Sequence, residues 1–135
     1  MEKYQGMFDA WSPRFLSVLR MDAAFLFMVH GSSKLLQIPH DAMHENVQLM
    51  SLIGVQGVLE LGGGALLLVG LFSRPVAFIL SGDMAVAYFM AHWPKSWLPY
   101  LNGGDLAVLF CFVFLYLWAA GPGPWSIDAL RRGKA

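Results

Sequence analysis

The hydrophobic positions of this chain fall into four long runs, at about residues 13–36, 47–71, 75–93 and 104–120. Most are apolar over nearly their whole length rather than along one face, the pattern of helices that are buried all round or set in a bilayer. At about 1.5 Å per residue, the first run is long enough for a hydrocarbon core of about 30 Å. The breaks between runs carry helix punctuation. Ser12 and Pro13 suit an N-cap and a first helical residue, and Pro39 ends the first run. Gly70 and Ser73-Arg74-Pro75 make a tight stop and restart. Pro94 closes the third run, Asn102-Gly103-Gly104-Asp105 opens the fourth, and Gly121-Pro122-Gly123-Pro124 breaks it. The expected architecture is all-α: residues 1–135 as a single integral membrane domain, folded as an antiparallel four-helix transmembrane bundle.

Composition supports a membrane setting. The chain is 57% hydrophobic and 13% charged, against about 25% charged in an average soluble domain. Its formal net charge is zero, so nothing suggests nucleic acid as a partner. Cys111 is the one cysteine and lies in an apolar run, which leaves no intrachain disulfide and no CxxC redox pair. Residues 1–11 contain Glu2, Gln5 and Asp9 and no apolar h-region, so no cleavable signal peptide is expected. Phe8, Trp11, Trp93, Trp97, Tyr100 and Trp125 flank the runs, as interfacial aromatic residues do. With four spans, both ends and the middle connection share one side. Lys3, Arg14, Arg74, Arg131, Arg132 and Lys134 fall there, against Lys34 and Lys95 on the other side. The excess predicts a multi-pass protein of the plasma (inner) membrane with both termini cytoplasmic.

The polar residues inside the runs are the candidate chemistry. Glu60 stands near the middle of VQGVLELGGGALLLVGLFSRP. A carboxylate at bilayer depth costs about 2.5–3.5 kcal/mol on insertion scales, so it faces a protein interior and marks a functional candidate. Gln56, Gly57, Gly63 and Gly64 share its helix side, and small residues there let a neighbouring backbone or a ligand head come close. In the first run Asp22, Val29, His30 and Ser33 project into one arc, while Arg20 points away from Asp22. Lys34, one turn beyond His30, is of a type that snorkels to the membrane surface. Asp83 falls at mid-depth in the third run. His92 lies nine residues on, on the opposite side of a regular helix, and can join Asp83 only if the helix distorts before Pro94.

Stacking the runs antiparallel places Glu60 and Asp83 near the midplane and His30, Gln56 and His92 in the outer half. Asp105 falls at the outer mouth and Asp22 in the inner third. Two carboxylates in a low-dielectric space do not both ionise unaided, so one is expected to be neutral or paired with His30, Lys34 or Arg20. The candidate ligand-binding or proton-handling set is therefore Glu60, Asp83, His30, Gln56, Lys34, Asp22 and His92. His40 and His44, at i and i+4 in the first connection, have metal-ligand spacing but no defined third ligand. A solvated loop face is the expectation there, and no metal site is assigned.

The stretches FMVHGSSKLLQ (27–37), GVLELGGGALLLVGLFSRPVA (57–77), GDMAVAYFMAHWP (82–94) and NGGDLAVLFCFVFLYLWAAGPGPWSID (102–128) together resemble the DoxX family of small four-helix membrane proteins. Asp105 stands where many relatives carry Glu, which keeps the carboxylate. The resemblance implies a link to membrane oxidoreductase systems, including thiosulfate:quinone oxidoreductase and a thiol-related redox complex. The chain itself carries no haem-attachment motif, no iron–sulfur cysteine set and no nucleotide fingerprint. It therefore has no self-contained redox centre, and no catalytic residue is assigned. The expected role is a membrane subunit of a quinone-linked oxidoreductase system, with a polar pocket for a lipophilic redox molecule such as a quinone. Electrons would come from a soluble or membrane redox partner. The alternative is a non-catalytic binding or assembly protein whose buried polar groups hold helices or a partner together. Membrane lipids and further copies of the chain complete the expected partners.

Overall fold

The computed structural model describes residues 2–133, and those residues form helices and connecting turns only. A 3₁₀ turn at Glu2–Tyr4 leads into α1, Gln5–Leu36. A second 3₁₀ turn at Ala42–His44 interrupts the following connection. Helix α2 is Leu52–Val69 and α3 is Ser73–His92. The short α4, Pro99–Asn102, precedes α5, Asp105–Ala120, and α6, Ile127–Arg132, follows. By length and apolar character α1, α2 and α3 can each cross a membrane. Helix α5 has 16 residues, about 24 Å of rise, and is shorter than the other three.

Several helix ends differ from those expected. Helix α1 does not start at Ser12-Pro13 but runs through Pro13 from Gln5. Proline removes one backbone donor, and the preceding turn is held independently by Gln5 Nε2 donating to Asp9 Oδ1 at 2.9 Å. The residues on that turn are exposed, so no neighbouring element enforces a break there. Helix α2 begins five residues later than the hydrophobic run at residue 47. Ser51 is its N-cap, accepting from Gly54 N at 3.1 Å, and a serine cap outweighs the apolar pattern that precedes it. Helix α3 begins at Ser73 rather than Pro75 because Asp128 accepts from Phe72 N at 3.0 Å and Ser73 N at 2.8 Å. This cap comes from 55 residues away in sequence, and the basic tail that supplies it is itself the helix α6. Lys134 lies outside the described residues.

Helix α1 packs along α2, α3 packs against α5, and α1 also meets α5. The core between them holds Ala23, Ala24 and Phe27 of α1, Leu67 of α2, Ala77, Leu80 and Met84 of α3, and Phe110, Phe114 and Leu117 of α5. Phe27 stands edge-on to Phe114 with ring centroids 4.9 Å apart, a preferred aromatic geometry. The face of α5 that carries Phe110, Phe114 and Leu117 is buried, while Leu109, Phe112 and Tyr116 point outward. Large apolar side chains are likewise exposed on α1, α2 and α3, among them Phe25, Val58, Phe78 and Val86. So much apolar surface on every long helix is what a hydrocarbon surrounding accommodates and water does not.

Candidate functional site

Glycines set how closely α1 and α2 approach. A Cβ at Gly31 would stand 2.5 Å from Leu61 N and 2.9 Å from Glu60 Cβ. One at Gly64 would stand 2.6 Å from Met28 Cγ, and one at Gly57 3.0 Å from Leu35 Cγ. A Cβ at Gly63 would stand 2.7 Å from Leu80 Cδ2 of α3. The space at Gly57, Gly63 and Gly64 around Glu60 is therefore filled by neighbouring helices. These glycines let backbones meet, and the room for a ligand lies elsewhere.

Glu60 lies within a π-turn, Leu59–Gly63, in mid-α2. Such turns insert one residue into the helical register and re-aim the side chains around them. Glu60 is buried and faces Lys34 of α1, whose Nζ donates to Glu60 Oε1 at 2.7 Å and to Gln56 Oε1 at 3.0 Å. The Lys34 side chain is only 12% exposed. It turns inward to the carboxylate and does not snorkel to the surface, because an ion pair with two hydrogen bonds is available within reach of its stem. Of the expected alternatives, a neutral carboxyl or a pairing with His30, Lys34 or Arg20, the structure pairs Glu60 with Lys34. Arg20 instead bonds to main-chain carbonyls. The second carboxylate oxygen, Glu60 Oε2, is buried without a partner among the described residues.

The group opens on a cavity of about 450 Å³ bordered by His30, Lys34, Gln56, Glu60 and His92, with Phe27, Met84 and Phe110 as apolar walls. His30 stands edge-on to Phe110, with centroids 6.3 Å apart. His92 reaches the cavity because α3 does distort before Pro94: its last turn, Tyr88–His92, is a π-turn. Nδ1 of His92 is 3.0 Å from Asn102 O. A carbonyl can only accept, so that nitrogen carries the proton and Nε2 is the acceptor. Buried Asn102 organises this end. Its Nδ2 donates to Ser96 O at 2.8 Å and Tyr88 Oη at 3.1 Å, and its Oδ1 accepts from Gly104 N at 2.8 Å.

Asp83 does not border the same cavity as Glu60. It lines a smaller recess of about 220 Å³ between α2 and α3, with apolar neighbours such as Ile53, Leu59 and Met90. Gln56 borders both spaces, so the two carboxylates occupy adjoining compartments with a shared amide. Asp83 Oδ2 is buried and unpartnered among the described residues. Asp22 is exposed on α1 and borders neither space, and Asp105 is exposed at the start of α5. Of the seven candidates, five meet at the larger cavity, Asp83 stands next door, and Asp22 stands apart.

His44, Met43 and Lys95 also border the larger cavity, at the connections that follow α1 and α3. They escape sequence reasoning because a loop must fold back to bring them there. Gln37 does this, donating from Nε2 to Ser33 O at 3.1 Å and His44 O at 2.9 Å. In the same connection His40 pairs with Glu45 at 3.1 Å and His44 Nδ1 with Asp41 Oδ2 at 2.5 Å. The Met43 amide and the His44 side chain hold the Asp41 carboxyl below its ordinary value. Among the described residues no three His, Cys, Asp or Glu side chains cluster in a metal-binding arrangement.

Arg20 is the other buried charge. It donates from Nη1 to Pro122 O at 2.5 Å and from Nη2 to Trp125 O at 2.7 Å and Leu68 O at 3.4 Å. It thereby ties α1 to the end of α2 and to the GPGPW turn, and its role is to fix that end of the molecule. Nothing local in the sequence marks it, since its acceptors are remote backbone carbonyls.

The family model described as DoxX matches residues 15–93, a stretch that includes all seven candidates, from Asp22 through His92, and the Lys34–Glu60 pair. A Haemophilus influenzae protein described as "Uncharacterized protein" is 39% identical over 124 residues, covering 89% of this chain and 92% of its own length. No solved structure matches the chain. The match over more than half the residues, together with the near full-length relative, establishes that this chain belongs to the DoxX family.

Proposed function

We propose that the chain inserts in the plasma (inner) membrane as an antiparallel four-helix bundle of α1, α2, α3 and α5, with both termini cytoplasmic. In this setting it serves as a membrane subunit of a quinone-linked oxidoreductase system. The observation that carries the reading is the cavity beside Lys34, Gln56 and Glu60, where a buried carboxylate oxygen lacks a partner. Buried polar groups are ordinarily satisfied, and Glu60, which borders the cavity, keeps one buried carboxylate oxygen without a partner among the described residues, which supports a place for a ligand group beside it. The cavity mixes a few polar groups with Phe27, Met84 and Phe110, as sites for amphipathic small molecules do.

A quinone, when bound, supplies the two-electron, two-proton chemistry that this chain lacks. The residues of the chain would do the rest. The Lys34 ammonium and a His30 ring N–H can donate to a carbonyl head. Glu60 Oε2 and His92 Nε2 can accept from a hydroxyl head. The recess beside Asp83 offers an apolar approach between α2 and α3, and Gln56 stands at its junction with the cavity. Electrons would reach the site from a redox partner.

A second reading keeps the same residues without redox chemistry: a binding or assembly protein in which Lys34–Glu60 joins α1 to α2. It is favoured by the glycine seam, which is devoted to helix contact. The two separate by extraction and stability together. Protein purified from native membranes should yield quinone in its lipid extract, and Glu60→Gln should lower the retained amount about tenfold, the loss expected for a charge-assisted hydrogen bond. Wild-type extracts free of quinone, with Glu60→Gln affecting only thermal stability, would leave the assembly role standing.

A further inference from the structure

At the end of the molecule opposite the histidines, three arginines converge on one cleft. Arg74 in the first turn of α3 and Arg131 and Arg132 at the end of α6 border a space of about 440 Å³, with Phe72, Pro75 and Asp128. Arg74 is fixed by donating from Nη1 to Trp118 O at 2.8 Å and Ala119 O at 2.7 Å, the carbonyls that close α5. The Arg131 guanidinium lies 5.4 Å from the centroid of the Phe72 ring, within cation–π range. Arg132 reaches Asp128 O from Nε at 3.4 Å. Asp128 is the one acidic side chain in the cleft, and its oxygens are taken up by the Phe72 and Ser73 amides. Three cations against one carboxylate leave an excess of positive charge, with guanidinium donors that have no partner among the described residues.

We propose that this cleft is a binding site for the phosphate headgroup of an anionic phospholipid. A phosphate accepts bidentate donation from arginine, and basic pockets at the ends of membrane helices select such headgroups. The occupant is a lipid and not a dissolved anion because the cleft continues onto apolar surface. One turn beyond Arg74, exposed Phe78 packs on Trp118 with centroids 5.5 Å apart, a wall along which acyl chains can run. The headgroup would link α3 and α6 through charge, at the end where the Arg20 and Asp128 bonds already gather the chain. This site stands independently of the quinone reading and needs only that the helices lie in a membrane.

The test uses the full chain in mild detergent, offered equal amounts of phosphatidylglycerol and phosphatidylcholine and read by native mass spectrometry. Wild type should carry about tenfold more phosphatidylglycerol, a preference within the reach of two or three surface basic groups at up to about 1 kcal/mol each. The double variant Arg131→Gln with Arg132→Gln should fall to about twofold, and its melting temperature guards against misfolding. Arg131→Lys with Arg132→Lys should keep part of the preference, between wild type and the Gln variant, since it keeps the charge but loses the bidentate fork. Glycerol 3-phosphate at millimolar concentration should not displace the lipid. Equal retention of the two lipids by wild type, an unchanged preference in the Gln variant, or full displacement by glycerol 3-phosphate would each overturn the proposal.

Discussion

At the scale of single residues, the informative signal is a polar side chain where the surrounding sequence is apolar. Glu60, Lys34 and Gln56 stand out in this way, and they do meet. Arg20 is not legible as an organiser, because its partners are main-chain carbonyls of a distant turn, and Asn102 and His44 are not, because their bonds form only once the connecting loops have folded. Asp128 belongs with them, as the remote cap of α3. Burial opposes its ionisation, but the Ser73 and Phe72 amides and nearby Arg131 outweigh this and hold its carboxyl below the ordinary aspartate value. A folded-state value below the unfolded one means the stabilisation is present above the ordinary carboxylate range. It is lost as pH falls through the folded-state value. Melting temperature in detergent should therefore drop on acidification in that range, and Asp128→Ala should destabilise the fold at neutral pH by about 1 kcal/mol, read as a lower melting temperature. An Ala variant that melts like wild type at neutral pH would show that the cap contributes nothing.

At the scale of elements, the hydrophobic runs located the long helices well and their ends poorly. Capping contacts from Ser51 and Asp128 moved the starts of α2 and α3, and α1 ran through Pro13. The two π-turns were beyond a regular periodicity, yet they decide the site. One carries Glu60, and the other carries His92 to the Glu60 cavity. The α1–α2 seam makes a sharp contrast between two glycines. Gly31→Ala should cost about 1–3 kcal/mol, because the new Cβ meets backbone that cannot swing aside. Gly62→Ala has nothing within 4 Å and should be neutral or mildly stabilising, since alanine favours helix. Thermal unfolding of the two variants checks this. Similar melts for both would mean that the helices separate readily and that the close approach is not a determinant of the fold.

For the whole molecule, an apolar surface on every long helix and membership in the DoxX family both place the chain in a membrane. Its two ends differ in character. One carries Arg14, Arg74, Arg131 and Arg132, and the other the cavity mouth with His44 and Lys95. A reporter fused after Ala135 should be active on the cytoplasmic side, and one inserted near His40 on the outer side. The reverse pattern would turn the cavity mouth toward the cytoplasm. The pairing of Lys34 with Glu60 joins two helices, and the second carboxylate oxygen, Glu60 Oε2, is buried beside it without a partner among the described residues. The most direct measurement is an experimental density map of the protein taken from its native membrane into lipid nanodiscs. Density from a non-protein ring or head group should lie between Lys34, Glu60 and His92, with a tail leaving past the Asp83 recess. A cavity holding water alone, or closed by side chains so that Glu60 Oε2 bonds to a neighbouring helix, would contradict a ligand-binding role.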